Sequence, residues 1–205
     1  MISLKHNFLF IHIPKTAGNS IQNVLRAYSE DRIVCMAPHQ DGVERFEVRS
    51  DRFNIHKHST LLDYRSQLDE EMFQRLFKFT SVRNPWDRLI SFYFSPHRGR
   101  VIWDRQEFMR FVEVIPPLTD HIALEAPNNS DSGTNCFSYI NHFIRFENLN
   151  HDFQQVCEQT GIPYTPLPQR NKSEHQYYKS YYDEEIVELV TRRFSEEIRF
   201  FGYTF

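Results

Sequence analysis

Apolar positions along the chain fall into short continuous runs alternating with helical stripes, the pattern of an α/β fold. Phe8-Leu9-Phe10-Ile11-His12-Ile13 is an aromatic and β-branched run that stops at Pro14, as a strand buried on both faces of a parallel sheet does. Ile21, Val24, Leu25 and Tyr28 follow at the spacing of one helix face. Arg32 to Met36 reads as a second strand, and the polar stretch from Pro38 to Asp51, with scattered apolar residues, reads as surface. Phe53 and Ile55 alternate with polar neighbours, which predicts a strand ending at His56 and His58. Thr60-Leu61-Leu62-Asp63 then caps a helix running to about Gln74.

In the second half, Leu76 to Arg83 is another buried-strand run. Asn84 as N-cap, Pro85 at the first helical position and Asp87 in the first turn mark a helix start, which puts Arg83 at a strand end and Ser91 about two turns up the helix. A helix over Asp104–Val114, a Pro- and Asn-rich loop from Pro116 to Asn135, a strand from Phe143 and a helix ending at Gly161 follow. The last helix, Asp183 to Phe194, has an acidic first turn and a core stripe of Ile186, Val187, Leu189, Val190 and Phe194. No internal repeat is present. The expected architecture is one α/β domain over 1–205, P-loop-like and three-layered, around a mostly parallel sheet of about five strands.

Composition narrows the partners more than the fold. A chain of 205 residues with 40% hydrophobic and 15% aromatic residues can bury a full core, roughly 70% of the surface its unfolded form exposes. The net charge of -3 gives no sign of nucleic-acid or anionic-membrane binding, so affinity for a polyanion has to come from a local patch. No apolar run approaches the ~18 residues of a membrane span, and no signal-peptide pattern opens the chain, so a soluble, cytoplasmic protein is expected. Cys35, Cys136 and Cys157 form no Cys-x-x-Cys pair, which suggests neither a zinc site nor a disulfide scaffold. In a trimmed luminal domain, a Cys136–Cys157 bridge would be open.

The candidate chemistry begins after the first strand. Pro14-Lys15-Thr16-Ala17-Gly18-Asn19-Ser20 joins a strand to a helix, where unpaired N–H groups and the helix dipole favour an anion and Lys15 adds a positive charge. The lysine precedes the glycine, so this is not a Walker A sequence. The order resembles the 5′-phosphosulfate loop of sulfotransferases, within the branch of carbohydrate (heparan/chondroitin-type, family 2-like) enzymes. His56 and His58 stand on one strand face, but no third ligand at metal-site spacing lies near them, only distant residues such as His39 or Asp51. A histidine at a strand's C-terminal end is placed where parallel sheets put their chemistry.

Arg83 and Ser91 can converge on one phosphate, the guanidinium as a charged fork and the hydroxyl as a further donor. The stretch Val82-Arg83-Asn84-Pro85-Trp86-Asp87-Arg88-Leu89-Ile90-Ser91-Phe92-Tyr93 resembles the 3′-phosphate motif of the same sulfotransferases. Asn171-Lys172-Ser173 and the terminal Phe201-Gly202-Tyr203-Thr204-Phe205 also resemble segments of these enzymes. The resemblance implies a donor, 3′-phosphoadenosine 5′-phosphosulfate (PAPS), used without a metal. Lys15 would neutralise the bridging oxygen, Thr16, Ala17, Gly18, Asn19 and Ser20 would hold the 5′-phosphate, Arg83 and Ser91 the 3′-phosphate, and Lys172 and Ser173 would close over the cofactor.

His58 is the first choice for the base that takes a proton from an acceptor hydroxyl, carbohydrate being the expected acceptor, and His56 is the second. The Pro116–Asn135 loop is expected to recognise the acceptor, and its His121 and Glu125 are the fallback bases. Two other functions share these features. A P-loop nucleotide kinase would need Gly-Lys-Ser/Thr and a metal-holding aspartate after an apolar strand, and neither is found. A non-catalytic nucleotide- or glycan-binding module would keep the loops and dispense with His58.

Overall fold

The computed structural model describes residues 1–35, 45–125, 135–170 and 172–205. Met36, His39, Asn171 and residues 126–134 of the expected acceptor loop lie outside the described residues, as does the side chain of Cys35.

Strand β1 (Ile2–Ser3) pairs antiparallel with β2 (Phe8–Ile11), and the loop after β2 leads into helix α1 (Gly18–Leu25). All four β2 residues are fully buried, as a strand covered on both faces of a three-layer fold requires. Strand β3 (Arg32–Cys35) follows, then β4 (Phe46–Arg49). These two pair antiparallel in a separate two-stranded ribbon and do not join the main sheet. The stretch expected to be surface therefore contains a strand. Phe46 and Val48 are buried while Glu47 and Arg49 are not, a period-two pattern too short to stand out in a polar segment.

Residues 53–58, expected to be a strand, are irregular. Their N–H groups bond to side chains and to one another instead of to a ladder: Asn54 donates to Gln67, His56 to the Ser59 hydroxyl, Lys57 to the Glu47 carboxylate and His58 to Nδ1 of His56. Thr60 and Asp63 do form a reciprocal capping box, opening α2 (Leu61–Arg65). The expected single helix breaks after Arg65, and Asp69 caps a second one, α3 (Glu70–Arg75).

Strand β5 (Phe77–Val82) lies parallel to β2, with Phe8 opposite Phe77 and Ile11 opposite Thr80. Helix α4 (Pro85–Tyr93) starts as expected, the Asn84 side chain accepting from the Trp86 N–H. Helix α5 (Arg105–Val114) is capped by Asp104. The loop after it contains a short helix, α6 (Leu118–Ile122), with Leu118, His121 and Ile122 buried. Strand β6 (His142–Arg145) lies parallel to β5, Val82 opposite Arg145, and α7 (Leu149–Thr160) ends at Gly161 in the left-handed conformation. Helices α8 (Glu184–Arg193) and α9 (Ser195–Phe201) complete the described elements.

The main sheet thus has four strands in the order β1-β2-β5-β6, three of them parallel, in place of about five. Two expected strands are absent from it, the one at Arg32, now in the ribbon, and the one at 53–58, while the short β1 is gained. Because β2, β5 and β6 run the same way, His12, Arg83 and Phe146 all emerge at one edge of the sheet. One apolar cluster packs the sheet with α1, α2, α3 and α7, and a second joins α4, α5 and α8. Cys136 and Cys157 are free thiols, and burial pushes both up to about 11, so neither is reactive at neutral pH. Among the described residues no helix is long and apolar enough to cross a membrane.

Candidate active site

The loop after β2 is strained and pinned. Lys15 and Ala17 have φ of 69° and 73°, a left-handed conformation that costs a non-glycine residue about 1–2 kcal/mol. Three carbonyls hold it there. That of Ile13 accepts from the Thr16 hydroxyl at 2.8 Å, that of Pro14 from Nε of Arg88 at 3.3 Å, and that of Lys15 from Nη1 of Arg83 at 3.3 Å. Among the described residues no acceptor takes a main-chain hydrogen bond from the N–H groups of Lys15 to Asn19. Successive unpaired N–H groups at a helix N-terminus, with carbonyls tied elsewhere, make an anion-binding concavity.

Thr16, expected to hold the phosphate, is turned away from this cradle. Its side chain is buried, and Oγ1 lies 2.7 Å from Oγ of Ser81 on β5, facing the sheet. Gly18 answers a tight contact, since a Cβ there would stand 1.9 Å from Cδ2 of His12.

At the end of β5, Arg83 is fixed on three sides. Nε donates to Asp87 at 2.8 Å, Nη1 reaches the Lys15 carbonyl, and the guanidinium lies 4.0 Å above the Phe146 ring. The strand end and the phosphate-type loop are thereby joined directly. Ser91 is buried on α4 with its hydroxyl 2.9 Å from that of Ser173, which brings the 172–173 segment over the helix. His175 stacks on Phe94 beside it, with centroids 6.0 Å apart.

These groups line one cavity of about 940 Å³, at the large end of the ~300–1,000 Å³ typical of ligand sites. Lys15, Ala17, Gly18, Asn19, Ser20, Arg83, Ser91, Lys172, Ser173 and His58 all border it. Thr16 and His56 do not, and His56 is exposed. None of residues 116–125 borders it either, so His121 and Glu125 stand outside. Arg45, Lys57, Arg98 and Arg170 add positive charge to the wall, against Glu47 as the carboxylate among the described residues. A chain of net charge -3 has gathered cations around one hole.

Burial, helped by the neighbouring Arg83, lowers Lys15 to about 8, so it stays charged at neutral pH but needs a counter-anion. His58 is lowered chiefly by burial, against which its bond to the His12 carbonyl works, with Lys57 lowering it further. Its imidazole is therefore neutral at pH 7.

The sequence pattern of the sulfotransferase family matches residues 1–204. The chain belongs to the sulfotransferase family. No curated protein and no solved structure matches it. As a sulfotransferase it carries out sulfuryl transfer to a hydroxyl acceptor in general terms, and its α/β fold with a mostly parallel mixed sheet is consistent with that family.

Several residues that build this candidate site escaped sequence reasoning. His12 was visible as a polar residue within an apolar run, and Glu47 sits on the strand taken for surface. Arg88 is on the buried side of α4, where its Nη2 also donates to the Pro116 carbonyl at 3.0 Å and Nη1 stands 3.8 Å from Glu197. The signal for Arg88 was a charge in a helix whose other buried positions are uncharged, three residues from both Pro85 and Ser91. Among the described residues no group of three His, Cys, Asp or Glu is arranged to hold a metal ion.

Proposed function

We propose that this sulfotransferase moves the sulfuryl group of PAPS to a carbohydrate hydroxyl by in-line transfer, with His58 as the base. The observation that carries the reading is the convergence, in one cationic cavity, of the Lys15–Ser20 cradle, Arg83, Ser91 and a neutral histidine. The donor set fits a bis-anionic nucleotide: unpaired N–H groups with a lysine for one end, and a fixed guanidinium with a hydroxyl for the other.

Each residue then has a separable task. The unpaired N–H groups of Lys15, Ala17, Gly18 and Asn19, with Ser20 beside them, hold the 5′-phosphate, while the Lys15 ammonium stabilises charge growing on the bridging oxygen as the S–O bond breaks. Arg83 and Ser91 take the 3′-phosphate, and Lys172 and Ser173 close over the cofactor. Sulfuryl transfer, like phosphoryl transfer, asks for alignment and charge stabilisation above all. The acceptor hydroxyl loses its proton to Nε2 of His58 as its oxygen attacks sulfur, and adenosine 3′,5′-bisphosphate (PAP) leaves. His58 is preferred to His56 because His58 borders the cavity. We also read 1–205 as a single catalytic domain.

The test is an acceptor screen with radiolabelled PAPS beside a calorimetric titration with PAP. Labelled sulfate appearing on a carbohydrate supports the reading. Tight PAP binding with no transfer to any hydroxyl class would leave a binding module instead.

A further inference from the structure

His12 touches both halves of the site. It follows β2, is 4% exposed and borders the cavity. On one side its ring is pressed against the first residue of α1, so closely that the three atoms nearest to a Cβ at position 18 would all be its own, at 1.9–2.7 Å. On the other, its ring centroid is 4.6 Å from that of His58, and its carbonyl oxygen is 3.2 Å from Nδ1 of His58. Phe10 backs the ring at 6.1 Å with planes 20° apart.

A ring packed this way is a spacer with little freedom. Its Nδ1 is buried without a hydrogen-bond partner, so no bond from that nitrogen holds the ring where it is. Burial first, then the neighbouring His58 and Lys57, keep it far below the ordinary value for histidine, so it is uncharged and adds no repulsion to a protonated His58. What remains is shape.

We propose that His12 is a positioning residue that sets the separation between the anion-binding turn at the start of α1 and the imidazole of His58. The turn fixes where the donor sits, and His58 fixes where the acceptor oxygen is deprotonated. In-line transfer needs these two points held to within a fraction of an ångström, and a 1 Å error costs about 10²-fold. The inference rests on His58 being the base, but the contact with Gly18 can be tested without that.

Two measurements decide it. In steady-state assays, His12→Ala should lower kcat by about 10²-fold with PAP affinity unchanged, and His12→Phe, which keeps a flat ring, should recover most of kcat. In calorimetry, Gly18→Ala should lose PAP binding and the double variant Gly18→Ala/His12→Ala should regain it, because the clashing ring is gone. Full kcat in His12→Ala, no recovery in His12→Phe, or a double variant binding no better than Gly18→Ala would each overturn the proposal. If the wild type transfers no sulfuryl group, the reading of His58 fails, while the paired binding measurement still decides the Gly18 contact.

Discussion

Nδ1 of His58 lies 3.2 Å from the carbonyl oxygen of His12. A carbonyl can only accept, so Nδ1 carries the proton and the lone pair stands on Nε2. Because burial holds His58 below 6.5, the active, neutral form is lost only on acidification. The expected kcat/KM profile rises with pH through a midpoint below 6.5. A midpoint above the ordinary histidine value would exclude a buried, neutral His58 as the base.

Lys15 gives the alkaline limb. It is charged below about 8, and an anion at its ammonium raises that value, so bound enzyme holds a proton that free enzyme has lost. PAP affinity should fall as pH rises above about 8, with proton uptake on binding. Calorimetry in buffers of different ionisation enthalpy measures the uptake directly, and Lys15→Met should abolish it.

Arg83 should be worth more than its charge. Losing a charge-assisted contact costs roughly 1.5–3 kcal/mol, so Arg83→Ala should weaken PAP binding at least about tenfold. Arg83→Lys should recover little, since an ammonium cannot at once meet Asp87, reach the Lys15 carbonyl and lie flat on Phe146. PAP should bind far more tightly than AMP or ATP without magnesium, and equal affinity for AMP would contradict the 3′-phosphate assignment.

Arg88 and Glu197 are a buried pair, the carboxyl pushed up to about 7 by burial despite the guanidinium. Replacing Arg88 with Met strands Glu197 in the core, and the loss in denaturant unfolding should grow as pH rises past 7 towards about 3–5 kcal/mol, because at lower pH the carboxyl takes up a proton. Adding Glu197→Leu should return much of that stability. It should not restore PAP binding, because the strut to the Pro14 carbonyl stays lost.

What could be read from the chain was local. Asn84, Pro85 and Asp87, or Thr60 and Asp63, announce helix starts within four residues, and the structure keeps them. Residues whose role is set by distant partners could not be read. Thr16 turns from the cavity because Ser81, 65 positions away, takes its hydroxyl. Phe46 and Val48 are buried because β3 and the core lie against them, and their own segment is polar. Residues 53–58 alternate like a strand yet find side-chain acceptors before any ladder. His12 and Gly18 looked like a strand residue and a loop residue until the contact between them appeared.

The central claim is that His58 performs chemistry at a PAPS site that other residues build. The most direct measurement is turnover of radiolabelled PAPS on a validated acceptor by wild type, His58→Ala and His56→Ala, each with its PAP affinity. His58→Ala should bind PAP like wild type and turn over roughly 10²–10⁴-fold more slowly, while His56→Ala, altered at an exposed side chain outside the cavity, should stay close to wild type. Full turnover by His58→Ala, with or without a loss in His56→Ala, would contradict the account.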